Sequence, residues 1–74
     1  MSTIIHIDVR ELAPPEPFEK IMPALFTLAP GAILQVHIHR EPFPLYEFMR
    51  KSGYSWKTCK ISFNNFRIRI KRPA

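Results

Sequence analysis

Alternation of apolar and polar side chains predicts two β-strands in the first forty residues, one over residues 4–9 and one over residues 32–39. The inward side chains of these strands are Ile5, Ile7, Val9, Leu34, Val36 and Ile38. The outward side chains include His6, Asp8, Gln35, His37 and His39. Each strand therefore has one face that a core can cover and one polar face.

An amphipathic helix is predicted after each strand. The first begins in Pro14-Pro15-Glu16-Pro17, since proline is tolerated in a first helical turn. Its apolar stripe consists of Phe18, Ile21, Met22, Leu25 and Phe26. Pro23 lies opposite this stripe and predicts a kink or a break. The second helix begins in residues 40–44, buries Leu45, Phe48 and Met49, and ends at Gly53 as a left-handed cap.

The last twenty residues predict a β-hairpin whose two-residue turn is Asn64-Asn65. Counting outward from this turn pairs Phe63 with Phe66, Ile61 with Ile68, and Cys59 with Ile70 on the covered face. The opposite face then carries Tyr54, Trp56, Lys60, Arg67, Arg69 and Lys71.

These elements predict one α/β domain over residues 1–74, an α+β two-layer sandwich in the order βαβαββ. A helix between two strands implies a right-handed crossover and parallel pairing. Both helices must cover the apolar face of the four-stranded mixed sheet, so the other face is open. A chain of this length has enough apolar surface for one modest core.

Charge is distributed unevenly along the chain. Residues 1–49 contain three basic and six acidic side chains, whereas residues 50–74 contain eight basic side chains and no acidic ones. The N-terminus lacks a signal-peptide pattern, Cys59 is the single cysteine, and no apolar run approaches the roughly 20 residues that span a bilayer. We therefore expect a cytoplasmic protein without a disulfide or a membrane segment.

Several motifs together resemble a known family. Leu12-Ala13-Pro14-Pro15-Glu16-Pro17 before the first helix, and Leu28-Ala29-Pro30-Gly31 before the second strand, are similar to the small sulfur-carrier proteins of the TusA/SirA-like group. Asp8-Val9-Arg10 and Arg40-Glu41-Pro42-Phe43-Pro44-Leu45-Tyr46 resemble an uncharacterised bacterial branch of that group, a domain of unknown function.

The resemblance implies a sheet of order 1-2-4-3 with strand four antiparallel to the rest, similar to the C-terminal domain of translation initiation factor three. It does not imply sulfur transfer, because Pro14 stands where the carriers have their persulfide-forming cysteine. Cys59 is expected to be buried and inert in strand three. A sulfur relay through Cys59 would require a thiol that reacts quickly in the native protein.

The first candidate site is the edge beyond the carboxyl ends of the parallel strands, where ligands favour α/β sheets. The residues expected to bind a protein partner or a small ligand there are Asp8, Arg10, Pro14, Glu16, Arg40, Glu41 and Tyr46. A purely structural role, in which Arg10, Glu16, Arg40 and Glu41 pair and cap the helices, is the alternative for these side chains.

The second candidate is the open sheet face, where cations and aromatic rings favour binding of RNA or DNA. Its expected residues are Trp56, Lys60, Arg67, Arg69 and Lys71. A metal site built from His6, His37 and His39 is a weaker alternative, because side chains on an open face splay apart. Homodimerisation through the open face or an edge strand is a further possibility.

Catalysis is not expected. The chain has no glycine-rich phosphate loop and no pairing of serine, cysteine and histidine that supports a nucleophile. The sequence therefore predicts a binding or adaptor module without a cofactor.

Overall fold

The computed structural model describes residues 3–73, which form four strands and two helices in the predicted order. The strands are β1 (Ile4–Asp8), β2 (Ile33–Ile38), β3 (Ser55–Ser62) and β4 (Asn65–Lys71), and the helices are α1 (Glu16–Phe26) and α2 (Phe43–Ser52). Neither helix is long and apolar enough to cross a membrane.

The strands form one mixed sheet of order β1-β2-β4-β3. β1 pairs in parallel with β2, and β4 is antiparallel to both of its neighbours. Because the carboxyl ends of β1 and β2 meet at the same edge as the starts of both helices, this edge collects the loops that precede α1 and α2. The fold class and the strand order predicted from the sequence are confirmed.

The core lies between the helices and one face of the sheet. Ile21 and Leu25 of α1 and Leu45 and Met49 of α2 are buried against the inward residues of β2 and β4. The buried sheet residues are Leu34, Val36, Ile38, Ile68 and Ile70. Both helices therefore cover the same face. The predicted apolar stripes are buried or half-buried except at Phe26, which was predicted to lie in the α1 stripe and is exposed.

Two backbone predictions for the helices have different outcomes. Gly53 caps α2 in the left-handed region with φ 83°, as predicted. α1 is continuous through Pro23, so the predicted break into two turns is wrong. Pro23 lies on the exposed side near the helix end, and its carbonyl accepts hydrogen bonds from the Thr27 N–H at 3.2 Å and the Thr27 hydroxyl at 3.0 Å.

The hairpin has a different register from the predicted one. Its turn is Phe63-Asn64, one residue earlier than expected, and the pairing shifts between Lys60 and Ser62 so that Ile61 forms a β-bulge. An extra residue in one strand inverts the faces of all residues beyond it. Residues 55–60 therefore present the opposite faces to those predicted.

The inversion corrects several predicted positions. Trp56 lies opposite Ile70 and Lys60 opposite Phe66, both on the helix-covered face, whereas Cys59 lies opposite Arg67 on the open face and is exposed. The predicted open-face positions of Tyr54, Trp56 and Lys60 and the predicted burial of Cys59 are therefore wrong. Ile61 and Phe63, expected in the core, are exposed at the hairpin tip, Phe63 to 84%.

Turn geometry and aromatic packing account for this register. A type I′ turn needs positive φ at both central residues, and no non-glycine residue in the described chain has positive φ. The observed register also places the large rings of Tyr54 and Trp56 on the helix-covered side of the sheet. The Tyr54 hydroxyl donates to the Leu25 carbonyl at 3.0 Å, and the Trp56 ring stacks on Tyr46 with 5.3 Å between centroids.

Candidate functional site

An apolar pocket lies at the strand-end edge, between the starts of the two helices. Its cavity volume is about 340 Å³. This helix-end pocket is lined by Pro14, Pro15, Pro17, Phe18, Ile21, Ile38, His39, Arg40, Glu41, Pro42, Phe43, Pro44 and Leu45. Concave, mostly apolar cavities of this size with a few polar groups are typical of small-molecule sites.

The helix starts at this pocket offer few hydrogen-bond donors. Pro15 and Pro17 have no N–H group, and the Glu16 N–H donates to the Ala13 carbonyl at 2.9 Å. At α2, the N–H groups of Leu45 and Tyr46 both donate to the Pro42 carbonyl. Helix starts that bind anions do so through free N–H groups. These two starts instead contribute apolar walls.

Two side chains at the end of β2 have polar groups without a partner among residues 3–73. Nδ1 of His39 is the one buried side-chain nitrogen or oxygen in residues 3–73 that makes no hydrogen bond. Arg40 is exposed, and no carboxylate within the described residues lies within 4.0 Å of its guanidinium. A buried polar atom without a partner costs about 1–3 kcal/mol, so His39 favours a bound group that supplies one.

Glu41 is held at the pocket rim by Tyr46. The Tyr46 hydroxyl donates to Oε2 of Glu41 at 3.2 Å, and because it has one proton, the Thr58 hydroxyl at 2.6 Å is the donor to Tyr46. Burial raises the pKa of the Tyr46 phenol, and the Glu41 carboxylate adds to this effect. The phenol therefore remains a donor, and α2 is connected to β3 at this point.

Asp8 and Arg10 belong to a neighbouring polar depression rather than to the pocket. Arg10 donates to Asp8 through its backbone N–H at 3.1 Å and through its guanidinium at 3.0 and 2.8 Å. These bonds lower the pKa of Asp8 to about 2. His39 lines both the depression and the helix-end pocket, so the two are adjacent.

The open side of the sheet forms a basic surface. We define the basic sheet face by Lys57, Arg67, Arg69 and Lys71, together with His6, Gln35 and His37. Arg67, Arg69 and Lys71 were predicted here, whereas Lys57 takes the place predicted for Lys60. Within residues 3–73 no aromatic ring belongs to this face, because Tyr54 and Trp56 pack against the core.

Gln35 is the centre of a hydrogen-bonded network on the basic sheet face. It is only 8% exposed although it lies on the open side. Nε of Arg69 donates to its Oε1 at 2.9 Å, and its Nε2 lies 3.4 Å from Nδ1 of His6 and 3.2 Å from Nε2 of His37. Nδ1 of His37 lies 3.3 Å from Oδ1 of Asn65.

The histidines do not form a metal site in the described part of the chain. His6 and His37 both face Gln35, whereas His39 lines the helix-end pocket. No three side chains of histidine, cysteine, aspartate or glutamate in residues 3–73 form a cluster that could hold an ion.

The structure divides the predicted strand-end site into three parts. Pro14, Arg40 and Glu41 line the helix-end pocket, while Asp8 and Arg10 line the adjacent depression. Glu16 lines neither cavity, and Tyr46 lies behind Glu41. The prediction omitted the aromatic walls Phe18 and Phe43, because Phe18 belongs to the apolar stripe of α1 and Phe43 lies in a proline-rich start.

Comparison with known proteins adds one family relationship. None of the curated proteins and none of the solved structures compared with the chain matches it. Residues 6–72, almost the whole chain, match the model of the family described as an uncharacterised conserved protein, and the chain therefore belongs to the DUF2249 family.

Proposed function

We propose that this protein is a non-catalytic binding module that holds a small apolar carboxylate in the helix-end pocket. The observation that carries the proposal is the combination of proline and aromatic walls with one polar end, formed by His39, Arg40 and Glu41. Prolines restrict the backbone, so the cavity is formed before a ligand binds and little ordering entropy is lost on binding.

The polar end favours a carboxylate over a phosphate. Arg40 has no carboxylate partner within residues 3–73, and a guanidinium binds a carboxylate through two parallel hydrogen bonds. A phosphate would require additional donors for its remaining oxygens, and the two helix starts supply few free N–H groups.

The absence of a catalytic role is part of the same proposal. The pocket lining contains no serine, threonine or cysteine, and the Glu41 carboxylate already accepts a hydrogen bond from Tyr46. Sulfur transfer is excluded from the proposal as well, because Pro14 has no thiol and Cys59 lies on the other side of the sheet from the helices. Common descent from TusA/SirA-like carriers, with the carrier activity lost, is consistent with the Pro-rich start of α1.

Binding can be tested by titrating ¹⁵N-labelled protein with 2-naphthoate and with its neutral amide, 2-naphthamide. We expect naphthoate to shift the amide resonances of Phe18, His39 and Arg40. The neutral probe should bind at least about tenfold more weakly, because it lacks the charge-assisted bond. Arg40→Gln should remove this preference. Equal affinity for the two probes, or no shift at about 10 mM naphthoate, would contradict the proposal.

Two phenylalanines provide a matched pair of variants. Phe43 and Phe26 are each 66% exposed, and each packs edge-on against one aromatic ring of α2, but only Phe43 lines the pocket. Phe43→Ala should weaken naphthoate binding about fivefold through lost apolar contact, whereas Phe26→Ala should leave it unchanged. The same loss in both variants would place the probe elsewhere. Docking of a partner protein at this edge stays a prediction, and competition between that partner and naphthoate would test it.

A further inference from the structure

The basic sheet face carries four cations that have no carboxylate partner in the part of the chain that the structure describes. They are Lys57, Arg67, Arg69 and Lys71. Asp8 is the acidic residue on this side of the sheet, and it is paired with Arg10 at 2.8 Å. The glutamates lie on α1, on α2 or in the loops that precede them. The face therefore has an unneutralised positive potential that attracts a polyanion.

We propose that the basic sheet face binds the phosphate backbone of single-stranded nucleic acid, and that protonation of His6 and His37 strengthens this binding. The proposal concerns a different surface from the helix-end pocket and does not depend on it.

The spacing of the cations favours a nucleic acid over an acidic protein. Arg67, Arg69 and Lys71 alternate along β4, so their attachment points repeat at about 6.7 Å. This repeat is comparable to the separation of successive phosphates along a nucleic-acid strand, which carries a charge on every backbone unit, whereas an acidic protein carries a charge on only some of its residues. Lys57 lies opposite Arg69 on β3 and widens the row.

The face lacks the rings that stack on bases, since Tyr54 and Trp56 pack on the helix-covered side. Binding should therefore depend on charge and be independent of sequence. Four phosphate contacts give an expected slope of about −3 for log K against log salt on a single strand.

Hydrogen bonding determines the protonation of both histidines in the network. Arginine can only donate, so Oε1 of Gln35 must face Arg69 and Nε2 of Gln35 must donate to both rings. The acceptor nitrogens, Nδ1 of His6 and Nε2 of His37, therefore carry no proton. Nδ1 of His37 is then the donor to Oδ1 of Asn65. Both rings are neutral in this arrangement.

Protonation of the two histidine rings would break their hydrogen bonds to Gln35. A protonated ring would place N–H against N–H at Gln35, and turning the amide round would place its NH₂ against Arg69. The other titratable or charged groups on this side of the sheet are Asp8 and Arg67 beside His37, then Arg69, Lys57, Lys71 and Cys59. Protonation of the two histidines would free Arg69 from Gln35 and add two positive charges, and both changes favour bound phosphate.

The test is fluorescence anisotropy with a twelve-residue oligothymidylate that carries a pH-insensitive rhodamine dye. Thymine does not titrate between pH 5.5 and 8, so the change in affinity reports the protein. We expect at least about tenfold tighter binding at pH 5.5 than at pH 8. His6→Gln/His37→Gln should remove most of this dependence.

Charge-matched variants separate the surface from net charge. Arg67→Ala/Arg69→Ala and Lys57→Gln/Lys71→Gln should each weaken binding at least about tenfold and reduce the salt slope by about 1.4. Arg50→Ala/Lys51→Ala on α2 removes the same charge and should change the affinity for the oligonucleotide little. Absence of binding, equal losses in all three variants, a pH dependence that survives in the histidine variant, or equally tight binding of polyglutamate of the same charge would each overturn the proposal.

Discussion

The helix-end pocket and the basic sheet face differ in the structural elements that form them. The pocket is surrounded by proline-rich backbone, which has restricted dihedral angles and few N–H donors. The sheet face instead presents side chains from all four strands of one hydrogen-bonded sheet. The pocket has a fixed shape and little charge, and the sheet face has charge and no cavity. In our proposals the pocket selects its ligand by shape together with the Arg40 guanidinium, whereas the sheet face selects a polyanion by charge alone.

The comparison depends first on which side of β3 is open, and the reactivity of Cys59 tests this with the largest expected effect. We expect native Cys59 to react with a thiol reagent at a rate within about tenfold of the unfolded chain, because it is exposed. A buried thiol reacts only after opening, at least about 10³-fold more slowly. Thiol labelling kinetics would measure this.

A matched variant of the neighbouring residue supports the same test. In a Cys59→Ser background, Thr58→Cys places the thiol on the helix-covered side and should protect it. Slow labelling at position 59 together with fast labelling at position 58 would restore the register in which Cys59 is buried.

The link between the pocket and β3 gives the next largest effect. Tyr46→Phe removes the bonds of the hydroxyl to Glu41 and Thr58, and should lower the free energy of unfolding by about 1 kcal/mol. Urea denaturation of Tyr46→Phe, Thr58→Val and the double variant forms a cycle. Because the two hydroxyls share a bond, the double variant should lose less than the sum of the single losses, and simple additivity would show that the bond contributes nothing.

The depression beside the pocket should respond to acid. Since the folded protein lowers the pKa of Asp8 from 3.8 to about 2, the Asp8–Arg10 pair stabilises the protein above pH 3.8 and loses this contribution as pH falls through about 2. Arg10→Gln should return the pKa of Asp8 towards 3.8, which carboxyl ¹³C titration would measure. Lys20→Gln removes a cation from the same depression and should change this pKa much less. If the pKa of Asp8 in the Arg10 variant stayed at its value in the unmodified protein, the pairing would be contradicted.

The smallest effect concerns the position of one proton on the sheet face. At pH 8 the network requires the Nδ1–H form of His37 and the Nε2–H form of His6. Long-range ¹H–¹⁵N spectra distinguish these forms. Asn65→Ala should release His37 to a mixture of forms and leave His6 unchanged. The same form on both rings in the unmodified protein would show that Gln35 does not bridge them.

The elements, their order and the covered face could be predicted because local periodicity and the burial of one face agree for α1, β2 and α2. The register of β3 could not be predicted in this way, because the strand has two overlapping apolar sets. Tyr54 and Trp56 compete with Cys59, Ile61 and Phe63 for the core, and packing against Tyr46 and Leu25, together with the geometry of the turn, decides between them.

The candidate sites were predictable in location and less so in detail. Strand order places the loops of Pro14 and Arg40 at one edge, so the pocket lies where the topology indicates. Its walls, Phe18 and Phe43, depend on how the helix starts face each other, which sequence spacing does not encode. The network of Gln35 depends on neighbours from three strands and could not be inferred from any single strand.

The bulge at Ile61 also makes the hairpin tolerant of a change in length. Deleting Ile61 would restore a regular ladder with Ser55 to Lys60 still opposite their present partners, so both faces of β3 would survive the loss of a residue. An insertion on the other side of Lys60 would exchange the faces and bring Trp56 into solvent. A one-residue deletion at the bulge would thus keep the surface of the domain, whereas a one-residue insertion on the other side of Lys60 would replace it.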